Sequence, residues 1–466
     1  GEYDKTLSEN AYSAASRITD SAEIEAGRDI IVDADTTSTV DTLNVGGAAS
    51  GSASVGGAVT VASVEDRTTA YLGGTARAPR NVKVTAAAPG DDTNEEDTTA
   101  DEDNWFATVN DIAGVLNLDS DNLFPENDSS DLKTFAGEGG IAGLGATVAI
   151  FEDSSTARAL VGNNASITGP EETSDVPDKI TVNAQLQPRV ENHALQAAVG
   201  LAGIGASVAH TTLSGETYAG IGNGTQINGE TLSIEAYADG KNSAHAIGAA
   251  GGVDAGAGAD AAAIDTASAT AELGADTAVD TGNEVKVRAS SKPQADADAD
   301  GGAVGGVAVG LSRAVARVEP TVHARTNDNT TVNTKTFRLS SVIESGDISA
   351  MPGQNPEGFQ NARATATSAG GGVLAGATGS DAQAILRPNV TTTVGKSNTL
   401  NIEEELHVHA IPHVSGFSDA NGYSGGLLAG GATLATTKVD TTTTVQLNKD
   451  STISAVDGDV DITASS

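Results

Sequence analysis

The sequence predicts an all-β chain, a parallel β-solenoid in the form of a β-helix or flattened β-roll. About seven repeats of roughly 52 residues build it, and one acidic loop insertion interrupts it. Three observations carry this. A five-residue pattern (apolar, polar, apolar, polar, small) returns along the chain at a near-constant interval. Apolar residues between its copies alternate with period two, as on a strand with one inward and one outward face. The composition is rich in Ala, Gly, Thr and Val, with 55 Gly and only 3% aromatics in 466 residues. Small residues suit a thin structure whose facing backbones approach closely.

The pentad reads Ile30-Ile31-Val32-Asp33-Ala34, with Ile31 the exception to its polar rule, and then Val82-Lys83-Val84-Thr85-Ala86. It returns as Ile180-Thr181-Val182-Asn183-Ala184, Leu232-Ser233-Ile234-Glu235-Ala236 and Val285-Lys286-Val287-Arg288-Ala289. The last three copies begin at Phe337, Leu406 and Val460. Successive starts are 52, 98, 52, 53, 52, 69 and 54 residues apart, so the two long intervals read as repeats carrying insertions. A unit this short cannot close a core alone; neighbours must stack. Ahead of each pentad lies a Gly/Ala-rich run, as at Val55-Gly56-Gly57-Ala58 and Leu201-Ala202-Gly203-Ile204-Gly205. A longer alternating segment and a Gly or Asn turn, such as Gly222-Asn223-Gly224, then lead into the pentad. Ala favours helix by propensity, but period-two alternation, β-branched residues and recurrent Gly favour strands. Whether 52 residues make one wide coil or two narrow ones stays open at this level.

These signals divide the chain into a partial repeat at 1–34 and repeats at 35–86, 87–184, 185–236, 237–289, 290–341, 342–410 and 411–466. The second repeat carries an insertion at about 91–135 and the sixth a loop at about 342–359. Residues 91–135 hold 14 acids and one Lys, together with Trp105, Phe106, Phe124 and Phe135. Residues 105–118 allow a short amphipathic helix. Trp105 and Phe106 are the candidate partner contacts. Asp119, Asp121 and Asp128, with Glu126 and Asp131, are candidate oxygen ligands for calcium. The plainer reading is a surface excursion whose aromatics fold back on the solenoid.

A second calcium candidate is Asp296-Ala297-Asp298-Ala299-Asp300-Gly301, where three carboxylates at strand spacing repel one another. It lacks the acid that an EF-hand loop needs twelve positions from its start, where Val307 stands. An acidic outward strand face is the simpler account. His407, His409 and His413 resemble metal ligands, and alternation puts the first two on one face. Their repeat equivalents, Lys83/Thr85 and Lys286/Arg288, are ordinary solvent-facing positions, so they are read as surface residues.

Composition narrows the function. No Cys is present, which removes disulfide and zinc-thiolate frameworks and thiol nucleophiles. A formal net charge of -38 argues against a nucleic-acid partner, since it repels phosphate. No apolar run approaches the roughly 20 residues of a membrane span, so no membrane insertion is expected. No Gly-x-Ser-x-Gly elbow or Lys-bearing phosphate loop stands in a fitting context. Paired acids leave a polysaccharide-processing β-helix as the weakest of three readings, and no catalytic residue or cofactor beyond calcium is assigned.

The units Gly57-Ala58-Val59-Thr60-Val61-Ala62 with Thr69-Ala70-Tyr71-Leu72-Gly73, Gly145-Ala146-Thr147-Val148-Ala149 with Thr156-Ala157-Arg158-Ala159-Leu160-Val161-Gly162, and Gly205-Ala206-Ser207-Val208-Ala209 with Thr217-Tyr218-Ala219-Gly220-Ile221-Gly222 share one form. They resemble the repeats of giant bacterial surface proteins, the leukotoxin-like filamentous adhesins and related large repetitive exoproteins. Leu311-Ser312-Arg313 and Ser380-Asp381-Ala382 depart most from the form. The resemblance implies an extracellular or cell-surface location and a non-enzymatic adhesive or filament-forming role as a stalk. The implied partners are neighbouring repeats of the same polypeptide, identical subunits end to end, or another cell surface. The chain opens and stops mid-pattern, so it is expected to be a piece of a longer array.

Overall fold

The computed structural model describes residues 14–89, 130–171, 175–348 and 360–465. These form a parallel β-solenoid in which one repeat is one coil. A representative coil runs through Lys241–Asp265, Ser268–Leu273 and Ala278–Ser291 before the next begins at Gln294–Val318. Each strand pairs in parallel with its equivalent one coil away, so three sheets run along the solenoid axis. They contain eight, eleven and twelve strands. We call them the front, fin and back sheets. Among the described residues there is no helix.

The front and back sheets face each other and enclose the trunk. The pentads supply the back wall, and their eight copies lie side by side in register. Ile30 pairs with Val82, Val82 with Ile180, Ile180 with Leu232, and so on to Leu406 with Val460. The first and third pentad residues make aliphatic columns, such as Val182, Ile234, Val287 and Leu339, all buried. The fifth makes a column of Ala, broken once by Ser341. Ser341 is satisfied where it stands. Its hydroxyl donates to the Thr391 carbonyl and accepts the Ala324 amide from the front wall. Ile31, the pentad residue that breaks the polar rule, is 63% exposed.

The fin is thinner. Its strands run out from the trunk, turn at a Gly-rich tip and return. In Lys241–Asp265, Ala244 and Ala246 on the outgoing half share a core with Ala259, Ala261 and Ala263 on the returning half. Alanine is the largest residue most of this core admits. A β-carbon on Gly248 would lie 2.2 Å from the Gly258 carbonyl oxygen across the gap. Gly301, next in the same column, would meet the Leu311 carbonyl at 2.3 Å. Where one wall carries a long polar side chain, the other carries glycine. Gln196 contacts Glu138 between the walls, and a β-carbon on Gly145 would strike both.

The turn from front to back sheet places one residue in the left-handed region in every described coil but the first. Asn164, Asp276, Asn329, Ser397 and Asp450 (φ 55 to 63) hold this place, with Gly74 and Gly224 in two further coils. Glycine and Asn tolerate that conformation best, which explains the turn signal read from the sequence. A hydroxyl just after it ties the turn to the preceding coil. Thr225 donates to the Gly162 carbonyl at 3.0 Å and Thr330 to the Gly274 carbonyl at 3.0 Å.

Two features differ from the sequence expectation. Ser130–Gly139 is a fin strand paired with Arg189–Val199, so residues 131–135 belong to the solenoid and not to the acidic excursion. Leu132 and Phe135 are buried there, which accounts for the second of these being aromatic. The segments Leu311-Ser312-Arg313 and Ser380-Asp381-Ala382 remain strand, paired Leu311 to Gly379 and Arg313 to Asp381. Leu311 alters the outward face, whereas Ser312 and Ser380 are buried between the fin walls, where Ser312 bonds the Thr367 carbonyl.

Candidate functional site

In-register stacking makes every outward residue the neighbour of its own equivalents about 4.8 Å away. Acids placed this way repel, and the chain has 63 of them against 25 Lys and Arg. Basic side chains accordingly bridge between coils. Arg158 reaches Glu216 at 2.7 Å, Lys286 reaches Glu235 at 2.9 Å and Arg288 reaches Glu344 at 2.7 Å.

The Asp296/Asp298/Asp300 run lies on the outward face of the fin, half-buried, with Ala297 and Ala299 in the core behind it. The three carboxylates are not equivalent. Asp296 accepts two hydrogen bonds from the Arg363 guanidinium of the next coil, one of them from Nε at 2.8 Å. Asp298 stands beside His245, with Nδ1 to Oδ2 at 3.8 Å, and His245 stacks on His193 at 4.9 Å between centroids. Burial, then the neighbouring Asp298, pushes Asp300 up to about 7. Asp298 is raised by burial as well. Two carboxyls that burial disposes to keep their protons, Asp298 and Asp300, and an Asp already chelated by Arg make a poor donor set for a hard cation. Trp105, Phe106, Asp119, Asp121, Asp128 and the 105–118 segment lie outside the described residues. Asp131 is a strand residue at 3.3 Å from Lys133.

A shallow groove of about 490 Å³ runs across the returning half of the fin, lined by Ala206, Val208, Gly258, Leu311, Gly379 and Leu434 among others. Gly258 and Gly379 leave low ground on either side of Leu311, which is 54% exposed. Its charged rim is internally paired: Asp260 lies 3.2 Å from His210 Nε2 and 3.6 Å from Arg313.

The histidine pair read from the sequence as surface residues gains a third member, Asp461, on the outward face of the back sheet. His407 and His409 stand on Thr399–Pro412, and the next strand, Val460–Ala464, sets Asp461 opposite His407. Asp461 Oδ2 is 2.9 Å from His409 Nε2 and 3.9 Å from His407 Nδ1. His413 lies beyond the end of the strand and is not part of the group. Column-by-column alignment of the pentads already puts Asp461 at the position of His407. Comparing histidines only with the earlier, chemically bland coils hid it.

The chain matches no protein-family model, no curated protein and no solved structure.

Proposed function

We propose that the chain is a non-enzymatic building block of a large bacterial surface or extracellular protein, serving as a stalk or filament segment in an adhesive assembly. The observation that carries this is the contrast between its columns. Inward columns keep their type through eight coils. The outward pentad column reads Ile31, Lys83, Thr181, Ser233, Lys286, Arg338, His407, Asp461, passing through apolar, basic, hydroxyl, imidazole and acidic side chains. That is the pattern of a scaffold under pressure for shape. The unit resemblance and the lack of Cys favour an exported bacterial protein, and the strong acidity favours solubility of a long rod.

Joining two copies in frame tests the reading. Electron microscopy is expected to show a particle of unchanged width and doubled length. Cleavage of acidic glycans by the purified chain, abolished by one carboxylate substitution, would overturn it in favour of a polysaccharide-processing enzyme. The density of acids and aromatics in 91–129 supports a second reading, a calcium-assisted contact with a ligand. Deleting that segment and measuring ligand attachment separates contact module from plain rod.

A further inference from the structure

We propose that His407, His409 and Asp461 form a binding site for a divalent transition-metal ion, Zn²⁺ in the first instance, that clasps two successive coils. The inference is independent of the role given to the rod.

The backbone sets the ligands. Alternation turns residues 407 and 409 to the same side of one strand, and register brings residue 461 beside them from the next. One ligand atom from each of the three lies within 4.8 Å of the other two. In a tetrahedron with zinc bonds of about 2.0–2.1 Å the ligand atoms sit about 3.3 Å apart. The two separations to Asp461, 2.9 and 3.9 Å, bracket that value. Side-chain rotations alone therefore close the site, with the strands unmoved.

Surrounding hydrogen bonds orient the donors as a metal requires. His407 Nε2 is 3.1 Å from Glu405 Oε2, and Glu405 is held in turn by Arg338 at 3.3 Å. With its Nε2 proton donated to Glu405, His407 presents the Nδ1 lone pair toward Asp461. At 3.9 Å that contact is too long for a hydrogen bond, and two electron-rich atoms facing each other are stabilised by a cation between them. A histidine whose second nitrogen is fixed by a carboxylate is the usual arrangement behind a metal ligand. Thr463 donates to Asp461 Oδ1 at 2.6 Å, while Oδ2 shares a hydrogen bond with His409 Nε2 at 2.9 Å; the ion takes the place of that proton, which moves to Nδ1 of His409. Two imidazoles and one carboxylate select zinc, copper or nickel over calcium or magnesium. The side chains are 24–49% exposed, so the site opens to solvent and a water completes the coordination.

The donors come from two coils and converge only when those coils are stacked. Binding is therefore linked to folding and raises the melting temperature. The test is calorimetric titration of the full chain with Zn²⁺ near neutral pH. We expect one ion per chain, unaffected by excess Ca²⁺, with the isotherm abolished in the His407→Ala/His409→Ala double variant and in Asp461→Asn. His413→Ala is expected to bind as the parent does. A second measurement needs no variant: in the unmodified chain, Zn²⁺ protects His407 and His409, but not His413, from acylation by diethyl pyrocarbonate, read by mass spectrometry. Absence of Zn²⁺ binding, an isotherm unchanged in the double variant, or no protection of the two histidines overturns the site.

Discussion

Trunk and fin are built by one chain in one set of coils, yet they solve the packing problem oppositely. The trunk separates its walls and fills the gap with large apolar columns, among them Val287, Leu339 and Phe337, each fully buried. The fin brings its walls so close that Ala297, Ala299 and Ala261 suffice, and glycine is needed where carbonyls face one another. Trunk stability is mostly apolar area removed from water, which scales with side-chain size. The fin buries little per residue. It relies on ladder hydrogen bonds and close contact, and on cross-wall bonds such as Asn242 Nδ2 to the Ile264 carbonyl at 2.8 Å. The lesson is that a uniform β-ladder does not imply a uniform core.

The largest expected effect tests the closeness of the fin. Gly248→Leu places a β-carbon against a backbone oxygen that has no rotamer to escape through. The loss should exceed the about 1–3 kcal/mol of ordinary overpacking. Thermal unfolding is expected to lose its single transition, and new protease sites should appear in 241–265. Next comes a matched pair. Leu339→Ala should cost about 2–5 kcal/mol in denaturant unfolding, whereas Ala299→Gly in the fin should cost about 1 kcal/mol. Equal losses would dissolve the distinction between the two cores.

A third effect is electrostatic. Asp300 in the fin and Asp265 at the corner with the trunk are both raised to about 7, in each case chiefly by burial. Between about pH 4 and 7 the folded chain keeps these protons while the unfolded chain releases them. Stability therefore falls as pH rises through that window. His193, lowered by burial, works in the opposite direction below its ordinary value of 6.5. Melting temperature should be higher at pH 5 than at pH 7, and Asp300→Asn should flatten that slope.

The trunk was legible because its signal is directional. Val, Ile and Leu at alternate pentad positions say which face is inward, and a repeat that stacks must align those faces. The fin was legible only as tight packing. Ala and Gly fit either face, so nothing in 241–265 says that the strand doubles back or which glycine meets which carbonyl. The contact of Gly248 with Gly258 is a property of the tip. The spacing also left one coil or two per repeat open, which the pairing of residue 180 with 232 settles. At the surface, the pairing of Asp296 with Arg363 follows from register across a loop that lengthens the interval, so comparing composition position by position did not reveal it. The union of His407 with Asp461 needed only the pentad columns.

In this molecule each coil's upper and lower contacts are of one type, and turn hydroxyls such as Thr225 and Thr330 reach back to the coil before. A whole coil can thus be gained or lost by duplication or deletion of its coding segment without creating a foreign junction. Length becomes a heritable dial turned in steps of about 4.8 Å, adjustable without redesigning any part of what it lengthens.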